Sequence, residues 1–190
     1  MTLALIPNLI SLLRIALIYP VILALLHGRF EWALLLFCLA GLSDLADGYL
    51  ARRFQWTSKL GGWLDAIADK VLLNAVYFVL WSLNLIPFWL LICVAGRDIL
   101  IVSGVVFYYF KIEKVSAKPS IISRINTFMQ LLLVVFILLQ QILTEYPLYL
   151  LPTFVVESTM RIVLSLTLVS GVWYAYIGLR RAFFLKKGGI

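Results

Sequence analysis

Charged residues are scarce in this sequence: they make up 13% of its 190 residues, whereas typical soluble domains have about 25%. Hydrophobic residues make up 64% of the chain, and the mean hydropathy is +1.05. This composition leaves no room for a separate soluble domain. It predicts an all-α integral membrane protein with a single domain over residues 1–190.

Histidine and cysteine are also rare, with one and two residues respectively. His27 lies at a predicted loop, and Cys38 and Cys93 lie within apolar runs, without the spacing of a metal site or a disulfide. We expect both cysteines to be buried thiols. The stretch from Asp44 to Asp69 is rich in aspartate and contains neither histidine nor cysteine, so oxygen ligands and therefore Mg²⁺, Mn²⁺ or Ca²⁺ are favoured there over zinc.

Six apolar runs follow one another, each close to the roughly 20 residues that a bilayer core requires. They cover approximately residues 7–27, 32–52, 61–82, 87–109, 121–143 and 154–179. Turn-forming residues at Gly28, Asn84–Pro87 and Tyr146–Pro152 separate them on one side. The pattern predicts a multi-pass bundle of six transmembrane helices.

Basic residues are concentrated on the other side of this predicted bundle. They are Arg52, Arg53, Lys59, Lys111, Lys114, Lys118, Arg180, Arg181, Lys186 and Lys187. The positive-inside rule then places both termini at the cytoplasmic face. The net charge of +7 is expected to face membrane lipid headgroups and not a nucleic acid.

Four of the nine acidic residues lie between positions 44 and 69, on the same predicted cytoplasmic side. Asp44 and Asp47 are three residues apart, and Asp65 and Asp69 are four apart, so each pair shares one face of its helix. Two helices joined by a polar turn can bring the four carboxylates together. Carboxylates converging in so apolar a chain need positive charge between them, which predicts a metal site.

Small and basic residues beside these aspartates suit a phosphate substrate. Gly48 and Ala51 leave a groove on nearly the same face as Asp44, and Arg52 supplies a planar donor fork. Gly61 precedes Asp65 by one turn, without a side chain in the way. The stretch therefore predicts a site for a metal and a diphosphate.

These positions resemble the signature of the CDP-alcohol phosphatidyltransferase family at every fixed residue. The match is Asp44-x-x-Asp47-Gly48-x-x-Ala51-Arg52, eight residues, Gly61, three residues, Asp65, three residues and Asp69. Eight fixed residues would match by chance on the order of 10⁻¹⁰ times per starting position. The resemblance implies that the four aspartates hold two divalent ions, Mg²⁺ or Mn²⁺, and that Asp69 is the catalytic base. It also implies a homodimer.

The resemblance further implies that the donor is CDP-diacylglycerol and that CMP is released. Its expected contacts are Asn8, Ser11, Asp47, Gly48, Ala51, Arg52, Ser58 and Gly61. Asn8 and Ser11 belong to a first helix that helps to bind the CDP group in the family, although a helix cap explains them equally well. Ser58 matches a phosphate contact by spacing, and an ordinary turn serine is the alternative.

The alcohol acceptor is expected to contact Arg97, Lys118 and Arg124. Arg97 could instead be an interfacial charge paired with Asp98, and the other two could be anchors to lipid headgroups. Arg97-Asp98, with no second arginine later in the same helix, resembles the CMP-forming cardiolipin synthase branch, whose acceptor is phosphatidylglycerol. The phosphatidylglycerophosphate synthase branch, with glycerol 3-phosphate, is the alternative.

Two other classes of protein can also carry carboxylates within a membrane. A transporter would place its charges near the midplane and show repeat symmetry, whereas this chain has no obvious internal repeat. A non-catalytic scaffold would explain none of the eight fixed positions. An enzyme is therefore the preferred interpretation.

Overall fold

The computed structural model describes the backbone of residues 6–54, 59–111, 121–144 and 152–187. It describes the surroundings of side chains within 12–43, 69–104, 121–144 and 152–178. In these backbone ranges the regular structure is six helices and no strand. They are α1 (Ile6–Leu26), α2 (Phe30–Phe54), α3 (Lys59–Ser82), α4 (Phe88–Lys111), α5 (Ile121–Thr144) and α6 (Thr153–Lys187). The all-α prediction is confirmed for these residues.

Two short turns end their helices by the same physical device. Gly28 has a φ of 68° and Asn84 a φ of 59°, in the left-handed region that these two residue types tolerate best. After α1, the amide of Arg29 donates to the carbonyl of Ala24 at 2.9 Å; after α3, Leu85 donates in the same way to Leu80 at 2.9 Å. These bonds satisfy carbonyls that a helix end would otherwise leave open. Only a few residues therefore separate α1 from α2 and α3 from α4.

The chain divides into two compact units. The first comprises residues 1–87 and 134–152, and here α1 packs against both α2 and α3 around buried side chains such as Val21, Leu25 and Val76. The second comprises residues 88–133 and 153–190, and here α4 packs against α6. Helix α5 contributes its N-terminal part to the second unit and its C-terminal part to the first. The predicted single domain over 1–190 stays a prediction.

Within the part of the chain whose side chains the structure describes, two helical segments are long and apolar enough to cross a membrane by length and composition: Ile121–Thr144 and Thr153–Gly178. Large apolar side chains are exposed on every helix with described side chains, among them Leu12, Trp32, Phe78, Phe128 and Trp173. Cys38 is one of the exposed residues, and Cys93 is partly exposed. The prediction of a buried thiol is therefore wrong for Cys38, because it shares an outer face of α2 with Leu35 and Leu42. For Cys93 the thiol is only partly buried.

Candidate active site

The eight positions of the motif lie on two helices of the first unit. Helix α2 carries Asp44, Asp47, Gly48, Ala51 and Arg52, and α3 carries Gly61, Asp65 and Asp69. α2 ends at Phe54 and α3 begins at Lys59, so the predicted pair of helices with a short connection is confirmed. The side chains of the first seven positions lie outside the described part of the chain. Their convergence on one point stays a prediction.

The helical backbone nevertheless fixes how each pair of aspartates is arranged along its own helix. At 3.6 residues per turn, three and four steps return a side chain to within about 60° and 40° of its starting direction. The rise between members is about 4.5 Å for Asp44 and Asp47 and about 6 Å for Asp65 and Asp69. The two positions of each pair therefore lie on one face of the helix backbone, within about one turn.

The carboxylate of Asp69 forms an ion pair with an arginine that the sequence pattern did not single out. Nη1 of Arg14, on α1, donates to Oδ1 of Asp69 at 2.5 Å. The Arg14 side chain is only 1% exposed, whereas that of Asp69 is 41% exposed. A signal was present in the sequence, because an arginine within the apolar run from Leu12 to Leu26 needs a counter-charge. Its partner, 55 residues away, could not be read from the same run.

The donor chemistry of this site fits a hard divalent cation. Carboxylate oxygens are the ligands that Mg²⁺ and Mn²⁺ prefer, and the Asp69 carboxylate remains accessible. Among the side chains that the structure describes, there is no group of three or more histidine, cysteine, aspartate or glutamate residues. Asp44, Asp47 and Asp65 lie outside that set. Metal binding stays a prediction from the sequence.

A second polar group, which we call the Arg97 cluster, lies in the other unit and consists of Arg97, Asp98, Ser123 and Ser170. Arg97, on α4, donates from Nη1 to Oδ1 of Asp98 at 2.7 Å and from Nη2 to Oγ of Ser123 on α5. Its Nε and Nη2 both donate to Oγ of Ser170 on α6, at 3.3 Å. All four side chains are buried. The guanidinium thus joins three helices of the unit.

Polar contacts continue along the same faces of α5 and α6. Oγ1 of Thr167 donates to Oδ1 of Asn126 at 3.1 Å and accepts from Nε2 of Gln130 at 3.5 Å. All three residues are buried. Hydrogen bonds between buried polar side chains of neighbouring helices help to hold those helices together. Ser170 and Thr167 carried no sequence signal, because such residues commonly bond to their own helix backbone.

The remaining predicted site residues are spread over several places. Asn8 and Ser11 lie on α1, six and three residues before Arg14, with side chains outside the described part. Arg124 lies on the first turn of α5, next to Ser123, and is exposed. Ser58 and Lys118 lie outside the described residues. The assigned contacts of all these residues, and of Arg97, with donor or acceptor stay predictions.

Curated relatives with two different names resemble the chain. It is 38% identical to the rat protein named cardiolipin synthase (CMP-forming) over 145 residues, which are 68% of this chain and 48% of that protein. The human protein of the same name is 36% identical over 145 residues, with the same two shares. CDP-diacylglycerol–glycerol-3-phosphate 3-phosphatidyltransferase of Bacillus subtilis is 33% identical over 108 residues, 48% of this chain and 55% of that protein. The chain thus spans about half the length of these relatives.

The family model described as CDP-alcohol phosphatidyltransferase matches residues 4–173. This match extends over most of the chain and includes all eight motif positions on α2 and α3. The resemblance seen in the motif is therefore confirmed over residues 4–173. The chain belongs to the CDP-alcohol phosphatidyltransferase family.

Proposed function

We propose that this protein is an enzyme that transfers the phosphatidyl group of CDP-diacylglycerol to phosphatidylglycerol, forming cardiolipin and releasing CMP. The observation that carries the proposal is the complete motif on α2 and α3 in a chain of this family. The names of the rat and human relatives support phosphatidylglycerol as acceptor. Family membership also argues against a transporter.

The reaction exchanges one bond at phosphorus for another. The acceptor hydroxyl oxygen attacks the phosphorus that carries diacylglycerol, a new phosphate ester bond forms, and the anhydride bond to CMP breaks. Asp69 accepts the hydroxyl proton as general base. Asp44, Asp47, Asp65 and Asp69 would hold two ions, Mg²⁺ or Mn²⁺, which neutralise the charge that develops on the diphosphate. Arg52 offers its donor fork to the same diphosphate.

The choice of acceptor depends on how much positive charge its binding requires. Glycerol 3-phosphate has a dianionic phosphate, which needs several cationic donors in one small pocket. Phosphatidylglycerol has a single diester charge and two acyl chains. The chain offers Arg97, Lys118 and Arg124 and lacks a second arginine on α4 after Arg97. The lipid acceptor is therefore favoured, and glycerol 3-phosphate, which the name of the Bacillus subtilis relative indicates, is the second candidate.

A competition between the two acceptors tests this choice. Purified protein receives CDP-diacylglycerol with phosphatidylglycerol and glycerol 3-phosphate together, both at saturating levels. We expect cardiolipin to be the dominant lipid product, with one CMP released for each cardiolipin formed. If phosphatidylglycerophosphate dominates instead, the acceptor assignment is wrong while the proposed phosphatidyl transfer stands. Absence of CMP release with either acceptor contradicts the whole proposal.

We propose in addition that all six helices cross the membrane, with the motif and both termini at the cytoplasmic face. The shortest helix, α1, has 21 residues, enough for about 30 Å at 1.5 Å per residue. The apolar side chains exposed on the helices suit a lipid environment. Basic residues are concentrated in the connections between helices on one side of the bundle, and the positive-inside rule makes that side cytoplasmic. The homodimer that the family resemblance implies stays a prediction.

Single cysteines test this topology. With Cys38 and Cys93 replaced by alanine, a cysteine at Lys59 or Lys114 is expected to react with a membrane-impermeant thiol reagent only from the cytoplasmic side. A cysteine at Glu145 is expected to react only from the other side, because α5 lies between positions 114 and 145. Labelling is measured in sealed cells and after permeabilisation. Labelling of position 59 in sealed cells would invert the proposed orientation.

A further inference from the structure

We infer that Arg14 is a positioning residue for Asp69: from within the first unit it holds the carboxylate that takes the acceptor's proton. This inference rests on the proposed function and deepens it. Its starting point is the ion pair between Nη1 of Arg14 and Oδ1 of Asp69 at 2.5 Å. The two residues belong to helices that pack against each other, α1 and α3.

The two ends of this ion pair differ in their surroundings. Arg14 is the largest fully buried side chain among the described residues, whereas the Asp69 carboxylate is 41% exposed. A guanidinium enclosed in this way has little freedom to move and almost no surface to offer to a lipid diphosphate. Arg14 is therefore placed to act on the reaction through Asp69 and not by touching the substrate.

A base must present its carboxylate in one orientation when the acceptor hydroxyl arrives. An aspartate on a helix can turn about two side-chain bonds, and pairing one oxygen with a fixed guanidinium restricts both rotations. A carboxylate has two oxygens and about four lone-pair sites, so this pairing is compatible with a second role for the same group. Partners that orient catalytic groups in this way commonly change activity about 10- to 100-fold when they are removed.

Because Arg14 is buried and Asp69 is partly exposed, replacing one residue affects the stability of the fold differently from replacing the other. Arg14→Met removes the charge but keeps an unbranched apolar side chain in the buried space, and the exposed Asp69 carboxylate can be solvated by water. Asp69→Asn instead takes the carboxylate away from a buried guanidinium, which is the more damaging change to the fold. Variants of Asp69 therefore lose catalytic activity and folding stability together. Variants of Arg14 allow the two effects to be measured separately.

The kinetic experiment compares wild type, Arg14→Met, Arg14→Lys and the control Arg161→Met, using CMP release from CDP-diacylglycerol with phosphatidylglycerol. Arg161 is also paired with a carboxylate, that of Glu157 at 3.7 Å, but on the exposed surface of α6. For Arg14→Met we expect kcat to fall about 10- to 100-fold, with both KM values within about threefold of wild type. Arg14→Lys retains the charge without the planar fork and should give an intermediate kcat. Arg161→Met should behave as wild type.

A second measurement does not depend on turnover. Melting midpoints are compared in EDTA for wild type, Arg14→Met, Asp69→Asn and the double variant. We expect the loss caused by Asp69→Asn to be smaller in the Arg14→Met background than in the wild-type background, because the two changes share the Arg14–Asp69 interaction. Additive losses would show that the pair does not act as a unit.

Several results overturn the inference. One is an unchanged kcat in Arg14→Met. Another is that Arg14→Met and Arg14→Lys have the same reduced kcat and the same reduced melting midpoint. A third is that Arg14→Met changes only the KM for CDP-diacylglycerol. An active wild type with an unaffected Arg14→Met refutes the positioning role alone. A wild type that releases no CMP refutes the proposed function and the positioning role together, while the melting comparison still decides whether the pair is formed.

Discussion

Asp44→Asn, Asp47→Asn and Asp65→Asn are each expected to reduce CMP release by about 10³-fold or more. Divalent ions at a phosphoryl centre supply several kcal/mol of transition-state stabilisation, and each 1.4 kcal/mol corresponds to about tenfold in rate. An amide keeps the shape of the side chain but loses the negative charge that a hard cation requires. Asp69→Asn should be equally inactive, yet it can still bind CDP-diacylglycerol if its main role is that of the base.

The metal requirement is measured on wild-type protein by CMP release before and after excess EDTA. Turnover should vanish with EDTA and return with Mg²⁺ or Mn²⁺. Equilibrium binding of Mn²⁺ should give two ions per chain, and Asp65→Asn should reduce that number or weaken the binding. Glu157→Gln is the matched control for the aspartate variants, because it makes the same chemical change at an exposed position on α6. Full turnover in excess EDTA would exclude the metal.

The sequence predicts the helices well because two simple signals, the apolar runs and the turn-forming residues between them, agree. Five of the six apolar runs match their helices to within about two residues at each end, and Gly28 and Asn84 take the left-handed conformations that end α1 and α3. The exception is α6: the apolar run ends near residue 179, but the helix continues to Lys187. Its last two turns contain Arg180, Arg181, Lys186 and Lys187, which lower the local hydropathy although basic residues favour a helix C-terminus.

The candidate site is only partly predictable from the sequence. Spacing along a helix places the aspartate pairs on common faces, because that depends on local geometry alone. The ion pair of Arg14 with Asp69 depends instead on which helices become neighbours, and neither apolar run contains that information. Arg97 shows both cases. Its pairing with Asp98 is one of the alternatives that the sequence offers and is confirmed, but both side chains are buried, so the interfacial position of that alternative is wrong. Its bonds to Ser123 and Ser170 arise only when α4, α5 and α6 assemble.

Arg97→Met is expected to lower the free energy of unfolding by about 3–5 kcal/mol, the range for removing one partner of a buried ion pair. Asp98 would lose its charged partner at 2.7 Å while remaining only 4% exposed, and Ser123 and Ser170 would lose a donor. Arg161→Met removes an exposed pair and should cost less than about 1 kcal/mol. Both variants are compared by chemical unfolding in detergent. Equal stabilities would contradict the role of Arg97 in joining the three helices.

The double variant Arg97→Met/Asp98→Leu separates this role from contact with the acceptor. Replacing both members of a buried pair by apolar side chains is often close to neutral, so most of the lost stability should return. Any binding of the acceptor's phosphate by the guanidinium would not return with it. If Arg97 is an acceptor ligand as well, the stable double variant should retain a raised KM for phosphatidylglycerol with the KM for CDP-diacylglycerol unchanged. If its only role is to join the helices, both KM values should return to those of the wild type. Lys118 and Arg124 would then remain as the predicted contacts of the acceptor.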